Sequence, residues 1–145
     1  MHAMSHVVFK NALSQLVHLM EKGVANAEAR KFESGVLGTA RLAPDMLSFS
    51  KQIQLTSDFA KNSMARLAGV DPPKFEDNEA TMEELLARVK KTLDYIGTVP
   101  VSAFEGSETR DIKIPLRDRT LEMKGLPFLQ NWAIPNFFFH YVTAY

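Results

Sequence analysis

NWAIPNFFFHYVTAY, residues 131–145, is the stretch on which the fold reading turns. It holds the only tryptophan, Trp132, and a run of rings from Phe137 to Tyr141. Wound as a helix, it places bulky apolar groups on nearly every side, and a helix apolar all round is buried by its neighbours. One edge differs. Asn136, His140, Thr143 and the small Ala144 recur three or four residues apart and therefore share a stripe. Pro135 suits the first turn of such a helix. Counted from there, the helix has only about ten residues and reaches about 15 Å, half the length of a twenty-residue partner. Either the last helix is short or its end is missing at Tyr145, and the absence of any C-cap favours the second reading.

Moving towards the N-terminus, the helical period gives way to a period of two. Ile112, Ile114 and Leu116 alternate with Asp111 and Lys113, and Leu121 and Met123 with Glu122 and Lys124. The charged turn Arg117-Asp118-Arg119 lies between, which predicts a β-hairpin. Pro115 confines its strand to an edge. An isolated hairpin is marginal in water, so its apolar face must rest on helices. Gly125 and Pro127 then break the pattern again.

Three long amphipathic helices precede the hairpin. Thr81 and Glu84 form a T-x-x-E capping box, and Met82, Leu85, Leu86, Val89, Leu93 and Ile96 follow at helical spacing. Glu83, Arg88, Lys90 and Lys91 supply the wet face, and Gly97 the stop. Before it, Asp45 is placed as the cap of a helix with the stripe Met46, Phe49, Ile53, Ala60, Met64 and Leu67. Thr56 and Ser57 interrupt that stripe at its centre. Gly69, followed by Pro72 and Pro73, ends the helix. The first helix begins at Ser5, read as its cap, and carries Phe9, Leu13, Leu16, Val17, Met20 and Val24. The span from Ala25 to Ala43 reads as a connector with short helical turns, long enough to cross the end of a bundle. The architecture expected is an all-α four-helix bundle with a small hairpin inserted between the third and fourth helices, in one domain covering residues 1–145.

Composition narrows the class. A chain of 145 residues buries a core without covalent staples. Lysine plus arginine and aspartate plus glutamate number 17 each, so no net field draws the chain to nucleic acid or anionic membrane. The absence of cysteine removes disulfides, thiolate nucleophiles and cysteine metal sites. No secretory signal or membrane-length apolar run is visible, so the default location is the cytoplasm. No G-x-S-x-G, Walker loop, G-x-G-x-x-G or H-E-x-x-H occurs.

The phrase LAPDM, the stretch QIQLTSDFAKNSMARLAG and the closing PNFFFHYVTAY together resemble an uncharacterised bacterial family, a domain of unknown function within the DinB/YfiT-like superfamily. The resemblance spans the chain. It implies a DinB-like bundle, often a homodimer. It also implies a divalent metal such as Zn or Ni held by three histidines, one on the second helix and two spaced by four on the last. Some members of the superfamily transfer groups to or from low-molecular-weight thiols. His140 matches the first last-helix position, but Ala144 stands at the second, and the second helix has no histidine.

The residues leave two readings at each candidate. His140 is a metal ligand or acid–base group, or a buried ring bonded to Asn136, Thr143 or a facing helix. Thr56 and Ser57 complete a polar pocket with Asn136, His140 and Thr143, or they bond back to their own helix. Asp58 joins His140 as a mixed metal site, or forms a surface ion pair with Lys61 at i+3. His2 is placed in a tail, His6 on the apolar side of the first helix and His18 on its wet side, all three structural or solvated. Trp132, Tyr141 and Tyr145 read as core-edge rings or as a partner surface. Two functions are therefore expected: a DinB-like metal-dependent enzyme or small-molecule binder with an incomplete histidine site, or a non-catalytic homodimeric or partner-binding module.

Overall fold

The computed structural model describes every residue from Met1 to Tyr145. Four long helical segments form the bundle. They are α1 (Val8–Ala29), α3 (Phe49–Ala68), α4 (Met82–Thr98) and a final rod made of α5 (Gly125–Phe128), a π turn (Leu129–Ala133) and α6 (Ile134–Ala144). The short α2 (Gly35–Thr39) lies in the connector, and a 3₁₀ turn (Val101–Phe104) follows α4. Strands β1 (Asp111–Pro115) and β2 (Thr120–Lys124) pair antiparallel, with Ile112 opposite Met123 and Ile114 opposite Leu121. Ile112 and Ile114 are buried and the polar residues between them exposed, as the period of two requires.

The helices do not follow one another around the bundle. α3 packs on both α4 and α6, while α4 packs on α1. The ring closes where Phe9 of α1 meets Phe137 of α6, centroids 4.9 Å apart. Consecutive long helices α1 and α3 therefore lie diagonally, and the connector carrying α2 crosses the bundle end to join them. α3 lies between α4 and α6, and its buried residues include Ser57, Ala60, Ser63 and Ala65. Small side chains there let both neighbours approach.

Several local expectations hold for visible reasons. Thr81 Oγ1 accepts the Glu84 N–H at 3.2 Å, while the Glu84 carboxylate accepts the Thr81 N–H at 3.1 Å, which completes the capping box. Gly69 adopts φ +76°, and the Val70 N–H reaches back to the Ala65 carbonyl at 3.0 Å, a Schellman closure. The Arg110 guanidinium covers that end, donating to the carbonyls of Leu67 and Ala103.

Other expectations are corrected. α3 starts at Phe49 after Ser48, so Asp45 and Met46 lie in the preceding turn instead of capping the helix. Ser5 is no cap either. The chain is helical from His2, and the Ser5 hydroxyl donates to the carbonyls of Met1 and His2 inside a π turn, Ala3–Val7. His2 is therefore not in a tail: its ring stacks on His6 at 4.7 Å and meets the edge of Phe104.

The largest correction concerns the last helix. It begins at Gly125, ten residues before Pro135, and is not short. Pro127 falls within the first turn, where its missing N–H would have no intrahelical acceptor. Pro135 would clash with the carbonyl four residues back in a regular α-helix. The π turn just before it loosens that spacing, with the Ile134 N–H bonded to Leu129 across five residues. The run of rings is also not buried on all sides. Phe137 is fully buried, whereas Phe139, Val142 and Tyr145 are 58%, 60% and 80% exposed.

Candidate functional site

The polar edge of α6 meets α3 at one residue that the sequence reading passed over. Gln52, on the first turns of α3, is 2% exposed. Its Oε1 lies 2.8 Å from Nδ1 of His140. Its Nε2 faces the Leu47 carbonyl at 3.4 Å, a long contact. A carbonyl only accepts, so the amide nitrogen belongs on the Leu47 side and the amide oxygen towards the imidazole. That arrangement makes Nδ1 of His140 the protonated nitrogen and leaves the lone pair on Nε2. The ring stacks on Phe59, centroids 5.5 Å apart. Burial holds its pKa below the ordinary histidine value, so it is neutral at pH 7.

Gln52 is also the buried polar wall of a cavity of about 360 Å³, which lies between α1, α2, the start of α3 and the end of α6. Leu16, Met20, Leu37, Leu47, Phe49 and Met82 supply most of its surface. Arg41 and Thr143 are its other polar side chains apart from the terminal tyrosine. No aspartate or glutamate lines it.

The predicted site residues do not all converge here. Thr143 lines the cavity, though its hydroxyl donates to the Phe139 carbonyl of its own helix at 2.7 Å. His140 touches the cavity only through Gln52. Asn136 donates to the Trp132 carbonyl at 2.7 Å beside the π turn. Thr56 donates to the Gln52 carbonyl at 2.8 Å, and the buried Ser57 hydroxyl has no partner. A signal for Gln52 was present: it sits four residues before Thr56, so the polar interruption of α3 continues one turn further than Thr56 and Ser57 indicate.

Asp58 does not join His140. Its carboxylate binds Lys61 and Arg88, both at 3.0 Å. Neither cation is on the surface: Lys61 is 4% and Arg88 3% exposed, which overturns the wet-face placement of Arg88 and the surface character of the Asp58–Lys61 pair. Arg88 further holds Asp77 at 3.0 Å and Glu79 at 2.8 Å, and donates to the Glu76 carbonyl. It thereby fastens the connector between α3 and α4 to the bundle. Lys61 and Lys91 lie over the Phe75 ring of the same connector, each 4.3 Å from its centroid. The cluster is a clamp of paired charges.

A three-histidine metal site does not fit these residues. His140 is the sole imidazole at the expected place, Ala144 has no donor, and α3 offers an amide where the pattern needs a ring. No group of three or more histidine, aspartate or glutamate side chains is placed to hold a metal ion. No helix is long and apolar enough to cross a membrane.

Four helices in this order, with a hairpin before the last, define a DinB-like bundle. The crystal structure of a DinB family member protein from Shewanella denitrificans superposes with a TM-score of 0.88 at 32% identity, covering 99% of this chain and 82% of that one. No curated protein matches. The family model described as Domain of unknown function (DUF1993) matches residues 1–145, and the chain belongs to that family.

Proposed function

We propose that this protein is a small-molecule binder whose ligand occupies the cavity between α1, α2, α3 and α6. The reading is carried by Gln52, a nearly inaccessible amide in the wall of a mainly apolar cavity, fixed from behind by His140. Ligand sites commonly combine apolar walls with a few oriented polar groups, and volumes of about 300–1,000 Å³ suffice for small ligands. His140 acts here as a positioning residue. The donors around His140 do not fit a three-histidine metal enzyme.

Gly23 offers a test. It lines the cavity, and a Cβ built there meets only Leu37 Cδ1, at 3.7 Å. Gly23→Leu fills the cavity from a helix that gains propensity by the change. Small-molecule fragments with apolar bodies are expected to shift backbone amide resonances around Gln52 in the wild type and not in Gly23→Leu. Equal responses in both proteins, or none in the wild type, would refute the proposal.

A second reading has its own observation. Phe139 and Val142 sit exposed on one side of α6, and an exposed apolar stripe is a common homodimer contact. Sedimentation equilibrium of the wild type against the double variant Phe139→Ser, Val142→Ser tests it. A dimer that dissociates in the variant supports this reading, and a monomeric wild type removes it.

A further inference from the structure

We infer that the cavity takes a medium-chain carboxylate, with its head at Arg41 and its chain directed towards Leu16 and Met82. The inference rests on the cavity being a ligand site and adds the chemistry of the ligand.

Arg41 is the only charged side chain lining the cavity. It is exposed at the rim, one Nη donates to the Met46 carbonyl at 2.6 Å, and it has no ion-pair partner. The other guanidinium donors are free to hold a carboxylate in the two-point fashion that suits it. Of the remaining polar side chains only Tyr145, 80% exposed, is not already engaged. Gln52 uses its oxygen on His140 and its nitrogen on Leu47, and the Thr143 hydroxyl donates to a carbonyl of its own helix. A neutral polar head would find no comparable donor, and a cationic head would meet Arg41 with no acidic residue to offset it. Past the rim the walls are aliphatic, from Leu37 and Leu47 down to Leu16, Met20 and Met82. Such a slot rewards methylenes, by about fourfold in affinity for each one buried.

The test compares octanoate, octanol and octyltrimethylammonium by isothermal titration and by amide shifts around Gln52. Octanoate is expected to bind about tenfold more tightly than octanol, and the ammonium more weakly than either. Arg41→Gln should bring octanoate to the level of octanol and leave octanol unchanged. Arg41→Lys keeps the charge but not the fork, and should retain part of the preference. Equal binding of octanoate and octanol by the wild type, or an octanoate preference that persists in Arg41→Gln, overturns the carboxylate inference and leaves the cavity a ligand site. If none of the three binds the wild type, the cavity reading falls together with it.

Discussion

Gln52 and His140 are tied across the α3–α6 contact by a hydrogen bond of 2.8 Å, and each residue explains the other. The amide oxygen is tolerated at 2% exposure because the imidazole Nδ1–H donates to it; the imidazole is held in one tautomer because that oxygen can only accept. Breaking the pair from either side leaves a buried polar group without its partner.

Gln52→Leu should therefore destabilise the protein by about 1–3 kcal/mol, the cost of stranding the partner group, less what the new side chain recovers by packing. Gln52→Glu should act on the ring differently, raising the His140 pKa through the adjacent carboxylate. Imidazole proton shifts followed through a pH titration would separate the two, and an unmoved His140 titration in Gln52→Glu would refute the pairing.

Burial lowers the folded-state pKa of His140, and His6 is lowered too, first by burial and then by the charges of His2 and Lys10. Protonation therefore favours the unfolded chain. Stability from these rings is intact above the unfolded value of about 6.5 and declines as pH falls through it. Urea midpoints measured between about pH 7.5 and about pH 5.5 should fall less in His140→Gln than in the wild type. Parallel curves would show that His140 contributes nothing to this slope.

Arg88→Met should cost about 3 kcal/mol, because it leaves Asp58, Asp77 and Glu79 facing one another without their common cation. Access of Asp58 and Asp77 to water moderates the figure. Asp77 and Glu79 have pKa values below the usual carboxylate range: burial opposes ionisation, but for Asp77 the Lys51 hydrogen bond and then the Arg88 charge prevail, and for Glu79 the hydrogen bonds from Arg88 and Gln54. Their contribution is present above the unfolded carboxylate pKa of about 4 and is lost as pH falls through the folded value. Denaturant melts at neutral pH and about pH 4 should show the Arg88→Met penalty shrinking in acid. A penalty constant across that range would contradict the electrostatic account.

Gly125→Ala should be severely destabilising even though Gly125 opens a helix. A Cβ there would lie 1.8 Å from the Ser107 carbonyl oxygen, and backbone cannot rotate away as a side chain can. A loss of at least about 2 kcal/mol is expected by thermal melting, against the gain of about 1 kcal/mol that alanine usually brings to a helix. A stabilised variant would mean that the two segments separate without cost.

Much of the fold was legible because its signals are local. The capping box at Thr81 and Glu84, the left-handed stop at Gly69 and the alternation from Asp111 to Lys124 each depend on neighbours within a few residues. The misreadings share a different cause. Arg88 looked solvated because a helical wheel contains no knowledge of the α3–α4 connector folding over it. Gln52 looked like an ordinary polar residue because its burial depends on α6, far along the chain. Pro127 and Pro135 looked like breaks because the π turn that accommodates the second has no sequence signature of its own. At the site, His140 was legible as the titratable ring of its helix; its partner across the bundle was not.

The π turn from Leu129 to Ala133 also absorbs one residue while keeping the helical phase of everything after it. Deleting the exposed Asn131 would return that turn to regular α spacing, leaving Phe137 facing Phe9 and His140 facing Gln52 but setting the Pro135 ring against the carbonyl then four residues before it. A substitution at the same position would change only one solvated side chain. The rod is therefore tolerant of what residue 131 is, and intolerant of whether it is there at all.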